Sequence, residues 1–132
     1  MFTLSKNELE IMILLWQEGR SLSRTEIIAL TPTKSWKSSS IHILLNSLLQ
    51  KEAIQVAGFI RTGKNYGRTY LAAITQDAYS AMQLVKNVPE HSITRENLPG
   101  LFATLIHKED IGPDVLEELQ VLLDRRRKEL LG

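Results

Sequence analysis

The chain has 132 residues, 43% of them hydrophobic, and a net charge of +1, which is enough to bury a core as one domain or as a small domain with an appendage. Cysteine is absent, which excludes disulfide frameworks, thiolate metal sites and cysteine nucleophiles. No apolar run approaches the ~20 residues that cross a bilayer, and "MFTLSKNELE" lacks the basic start and apolar centre of a signal peptide. A soluble, cytoplasmic protein with no membrane partner is expected.

The first element is announced by Ser5 with Glu8 three residues on, a capping box. Leu9, Met12, Ile13 and Trp16 then follow at helical spacing, so a helix is expected to about Glu18, with its stop at Gly19. Ser23 with Glu26 repeats the signature and opens a short helix through Ile27, Ile28 and Leu30, ended by Pro32. A third helix follows Trp36, with Ile41, Leu44, Leu45, Leu48 and Leu49 as one apolar stripe. Its other face collects Ser39, Ile43, Asn46 and Gln50, flanked by Ser40, His42 and Ser47.

From Ile54 the period changes. "IQVAGFIRTGKNYGRTYLAAI" carries β-branched and aromatic residues on both sides of "TGKNYG", which predicts two antiparallel strands joined by a long loop. Beyond Thr75 a helix is expected with Ala78, Tyr79, Met82 and Val85 inward. "NVPEHSITREN" reads as a break, because Pro89 and its polar neighbours cannot continue a helix. Two further amphipathic helices follow, one carrying Leu98, Leu101, Phe102, Leu105 and Ile106 with Pro99 in its first turn, the other opened by Pro113 and carrying Leu116, Leu119, Leu123 and Leu130.

Charge divides the chain. Up to Ile74 there are nine Lys or Arg against five Asp or Glu, and beyond it seven against ten. A basic segment ahead of an acidic one suggests a nucleic-acid-facing part and a part with another task. His42, His91 and His107 lie far apart with no carboxylate at a repeated ligand spacing, so neither a metal site nor a cofactor is expected. No nucleophile, base and orienting group recur at a recognisable spacing, and an enzyme is not expected.

Three helices and a basic hairpin make a winged helix-turn-helix, so the fold class is mainly α with a small β-hairpin. The winged-helix domain spans residues 1–74 and a helical region spans 75–132. The third helix is then the recognition helix. Lys37 and the serines Ser38, Ser39 and Ser40 at its start suit phosphate oxygens. His42, Ile43, Asn46 and Ser47 are placed for a major groove, with Asn46 matched to adenine, Ile43 to a thymine methyl and His42 to guanine or a phosphate. Arg61, Lys64 and Arg68 on the wing supply the salt-sensitive part of the affinity for double-stranded DNA. Whether the leucines of the tail pack within one chain or between two cannot be read from periodicity.

These residues resemble the BlaI/MecI family of penicillinase and methicillin-resistance repressors. "ELEIMILLWQEG", with Glu8, Met12, Leu15 and Trp16, looks like the family's first helix. Trp36 ahead of "IHILLNSLLQKEAI" is similar to its recognition helix, "GRTYLAAI" to the strand returning from its wing, and "HKEDIGPDVLEELQVLL" to its last loop and helix. The resemblance covers nearly the whole chain. It implies a homodimeric repressor on a palindromic operator, with Leu98, Leu101, Phe102, Leu105, Ile106, Leu116, Leu119 and Leu123 in the dimerisation region. It also implies an inducing protease or sensor pathway. The family's cleaved Asn-Phe bond falls on Thr104 and Leu105, and basic family positions of the recognition helix fall on His42 and Ser47. Copper-responsive relatives need a cysteine cluster that this chain lacks. Two other classes remain open: a ligand-gated winged-helix regulator of a different family, and a winged-helix protein-interaction module that binds no DNA.

Overall fold

In the computed structural model, residues 2–31, 33–62, 65–87, 94–108 and 110–132 are described. The first capping box forms as its residues require. The Ser5 hydroxyl accepts the Glu8 N–H at 3.2 Å, and the Glu8 carboxylate accepts the Ser5 N–H at 2.7 Å. Helix α1 then runs Lys6–Glu18 until Gly19 closes it at φ 65°, a left-handed conformation open to glycine because it has no Cβ. The Ser23/Glu26 box opens α2, Arg24–Leu30, in the same way, and the backbone turns extended at Thr31. Pro32, expected to stop this helix, lies outside the described residues.

Trp36 is buried and holds the following loop to the core. Residues Ser38–Ser40 make a short 3-10 turn that leads into α3, Ile41–Gln50. Of the expected stripe, Ile41, Leu45 and Leu48 are buried, and Leu44 and Leu49 pack half-buried against the same cluster. No glycine ends this helix. Glu52 itself adopts φ 61°, and the Ala53 N–H then reaches the Leu48 carbonyl at 3.0 Å.

Strands β2, Ile54–Thr62, and β3, Asn65–Ala72, pair antiparallel from Ile54 opposite Ala72 to Thr62 opposite Asn65. The connection is therefore shorter than the long loop expected, because Asn65 and Tyr66 extend the ladder and only residues 63 and 64 separate the strands. A register shift between Val56 and Gly58 leaves Ala57 as the extra residue of a β-bulge. A strand that sequence reasoning missed completes the sheet: β1, Leu22–Ser23, pairs with β3, and the strand order is β1-β3-β2.

Helix α4, Gln76–Lys86, opens where Thr75 accepts the Ala78 N–H at 3.0 Å. Its Tyr79 is buried, and the phenol accepts the Leu4 N–H at 3.1 Å. The Tyr79 ring lies 6.1 Å from those of both Phe2 and Trp16, while the Trp16 indole donates to the Ile74 carbonyl at 2.9 Å. The first compact unit accordingly runs Met1–Asn87, past the charge boundary at Ile74. Of the face expected to be inward, Tyr79 is buried and Met82 half-buried, whereas Ala78 and Val85 are exposed. The second unit, Val88–Gly132, contains α5, Leu98–Ile106, with Pro99 in its first turn as expected, and α6, Pro113–Leu131.

Glu8 joins α1 to α3. It is 3% exposed, the Ser47 hydroxyl donates to its Oε2 at 2.6 Å, and Lys51 Nζ donates to its Oε1 at 2.6 Å. Burial alone raises a carboxyl, but the bonds from Lys51, Ser47 and Ser5 outweigh it and hold Glu8 at about 2, below its ordinary 4.5. A depressed carboxyl stabilises the fold above its unfolded value, and that contribution is lost as pH falls from 4.5 towards 2. Glu8→Gln is expected to cost roughly 3 kcal/mol near neutral pH. Urea unfolding checks it, and across the acid window the variant should lose less stability than the parent chain.

Candidate nucleic-acid interface

The buried stripe of α3 decides what the helix leaves outside. With Ile41, Leu45 and Leu48 turned inward, about 100° per residue sends His42, Ile43 and Asn46 outward. All three are exposed, Ile43 to 73%. At the start of the helix Lys37, Ser38 and Ser39 are exposed and Ser40 is half-buried. Ser40 stands at the N-cap and makes no side-chain cap bond.

The wing carries its own surface. Phe59 stands opposite Arg68 and Arg61 opposite Tyr66, and directly opposed residues share a face of a sheet. One face therefore alternates arginine and aromatic side chains, with Phe59 67% and Tyr66 71% exposed. Lys64, expected to act beside them, lies outside the described residues.

Helix and wing meet at a cleft of about 370 Å³ lined by Arg24, Thr25, His42, Asn46, Tyr66 and Arg68 among others. The Arg24 guanidinium lies against the His42 ring across it. Among the described residues that line it there is no carboxylate. The lining offers guanidinium, amide and hydroxyl donors beside aromatic faces, a set suited to phosphate and base-edge acceptors.

A family model for the penicillinase repressor matches residues 4–125. The chain belongs to the penicillinase repressor family. It is therefore a DNA-binding transcriptional repressor, and the family's members are regulators rather than enzymes. No curated protein sequence matches it significantly.

Within this penicillinase repressor family member, the expected contacts separate into groups. His42, Asn46 and Arg68 are brought together at the cleft, and Ile43 lies on the same helix as the first two. Arg61 is exposed on β2. Ser47, expected on the reading face, is half-buried, and its hydroxyl is committed to Glu8. The physical reason is its place one turn before Lys51, on the side of α3 that meets α1. The cleft also brings in Arg24, Thr25 and Tyr66, which were not expected beside these residues. The first two open α2 directly after the Ser23 cap, and Tyr66 precedes Arg68 by two residues, the spacing that puts them on one face of a strand.

In the second unit, Leu98, Phe102, Ile106, Leu116 and Leu123 are exposed, and Leu101, Leu105 and Leu119 are half-buried. Thr104 and Leu105 both lie in the last part of α5, where the Thr104 hydroxyl donates to the Gly100 carbonyl at 3.0 Å. Among the described residues no helix is long and apolar enough to cross a membrane. Ser47→Ala is expected to lower stability by about 1 kcal/mol and to leave base preference unchanged, which thermal unfolding beside binding to a panel of duplexes will check.

Proposed function

We propose that the chain represses transcription by binding a palindromic operator as a homodimer. The observation that carries this reading is the grouping of His42 and Asn46 on α3 with Arg24 and Arg68 around one cleft free of carboxylates among its described lining. In it, α3 enters the major groove, where Asn46 pairs with adenine and Ile43 covers a thymine methyl. Lys37, Ser38, Ser39 and Ser40 meet the phosphates at the helix start, and Arg61, Lys64 and Arg68 follow the neighbouring backbone from the wing. His42 fills a place where relatives carry a basic residue, so the wing bears more of the salt-dependent affinity.

The DNA-binding part is the winged helix up to Ile74, and dimerisation resides in the region beyond it. No residue of α5 or α6 is buried among those described, yet Phe102 is 55% and Leu123 62% exposed. Apolar stripes of this kind are covered in a stable soluble protein. A second copy of α5 and α6 covers them. The chain acts in the cytoplasm and controls β-lactam resistance or a related stress response. Release from DNA follows an inducing protease or sensor pathway, for which the bond between Thr104 and Leu105 is the corresponding position.

Selection of bound fragments from genomic DNA tests the reading, and a palindromic consensus is the expected result. On that operator Asn46→Ala should relax preference at one position of each half-site. Arg68→Ala should instead weaken all duplexes alike and lower the salt slope by about one. The intact chain at micromolar concentration should have the mass of a dimer in sedimentation equilibrium; a monomer removes the proposed role of α5 and α6.

A further inference from the structure

Helix α6 is divided by charge. Residues 113–124 carry Asp114, Glu117, Glu118 and Asp124 and no Lys or Arg, whereas the Arg125, Arg126, Arg127 and Lys128 that follow are opposed only by Glu129. A helix dipole favours this order of charge, but only in the first and last turns, and Glu117, Glu118 and Arg125 to Arg127 lie further in. Neither Glu117 nor Glu118 has a basic residue three or four positions away, the spacing at which a pair forms on one helix. Helix α5 itself, Leu98–Ile106, contains no charged residue that could answer them. The apolar side raises the same question. About 100° per residue puts Leu116, Leu119, Leu123 and Leu130 on one side of α6, with Arg126 among them. No residue of this helix is buried, and Leu123 is 62% and Leu130 69% exposed. Arg126 holds Glu129 at 3.1 Å, yet its side chain is 68% exposed. Whatever covers the leucines must also meet this guanidinium.

We propose that α6 pairs with the α6 of a second copy in antiparallel orientation, crossing at its midpoint, Leu122. The inference rests on the homodimer reading and gives that dimer its geometry. In a parallel twofold pair a residue on the shared seam faces its own copy, so Arg126 would meet Arg126 and the two acidic halves would lie side by side. In the antiparallel pair, residues equally far on either side of Leu122 oppose one another. Glu118 and Arg126 each lie four residues from Leu122, and Glu117 and Arg127 each lie five. The guanidinium that interrupts the apolar stripe thus meets a carboxylate of the other chain, twice by symmetry, while full overlap covers the leucines. Glu118 and Arg126 are about 12 Å apart along their own helix, so this pair forms only between chains. A helix whose halves answer each other also selects its own copy over an unrelated amphipathic helix, which would have to match both ends.

Sedimentation equilibrium of the full chain over a dilution series tests the pairing. Glu118→Arg should weaken the dimer by roughly tenfold at low salt, because two symmetric contacts turn from attraction to repulsion and an exposed pair is worth a few-fold. Adding Arg126→Glu should bring the affinity back to within about threefold of the parent chain. At ~1 M salt, where the screening length falls to ~3 Å, Glu118→Arg should match the parent. If Glu118→Arg dimerises as tightly as the parent at low salt, or the double variant shows no recovery, antiparallel pairing is refuted while the dimer stands. A parent chain that stays monomeric removes the dimer and this pairing together. A second measurement does not depend on charge: the chain has no cysteine, so Leu131→Cys offers a single site for a nitroxide label. Electron-electron distances should place the two labels more than about 25 Å apart in an antiparallel dimer and within about 15 Å in a parallel one. The short distance overturns the proposal.

Discussion

The Glu8 carboxylate is the joint on which the first compact unit is built. It caps α1 through Ser5 and receives Ser47 of α3 and Lys51 at that helix's C-cap. Lys51 also donates to the Thr3 carbonyl at 3.0 Å, so the segment ahead of α1 is drawn into the same knot. The apolar stripe of α3 fixes which side of the helix is inward, but hydrophobic contact is non-directional and tolerates sliding. Two hydrogen bonds to one buried carboxylate do not. They set the rotation and height of α3 against α1, and with them the places at which His42 and Asn46 leave the surface.

That joint also changes how the basic charge of the front segment is read. Lys51 counts towards the excess before Ile74, yet it is consumed in an internal ion pair. Lys34 is similarly engaged, donating to the Ile28 carbonyl at 3.0 Å near the end of α2, and Arg20 lies 2.9 Å from Glu26. Arg24, which a count weights no more heavily than these, stands at the cleft. Net charge reports an overall field, whereas recognition depends on which cations remain at the surface that approaches DNA.

Much of the unit was legible because its signals are local. Each capping box couples a Ser to a Glu three residues away, and both formed as read. Gly19 marked the end of α1 for a stereochemical reason that any reader of the sequence can apply. The end of α3 gave no comparable sign, because Glu52 takes the left-handed turn that a glycine usually fills. Strand β1 has two residues, too few for a period, and exists because β3 offers it an edge. The wing turn was read as too long since Asn65 and Gly67 carry turn chemistry while sitting in a ladder. At the cleft, the sequence pattern of α3 placed His42 and Asn46 on one face, whereas Arg24 and Tyr66 reach the same cleft from other elements, which no local pattern reports. The bond from Ser47 to Glu8 was not legible because the two lie 39 residues apart in sequence.

Ala57 touches on a different kind of control. It is exposed and is the extra residue between Val56 and Gly58, with Val56 opposite Tyr70 and Gly58 opposite Thr69. Removing it would leave every other cross-strand partner as it is, and the same side chains would occupy the same faces. What would change is the bend and twist that a bulge puts into its strand. The direction in which the wing points from the sheet thus depends in part on a count of backbone units. A one-residue deletion there would act as an aiming error, turning β2 and β3 relative to α3 while every side chain that lines the cleft is still present.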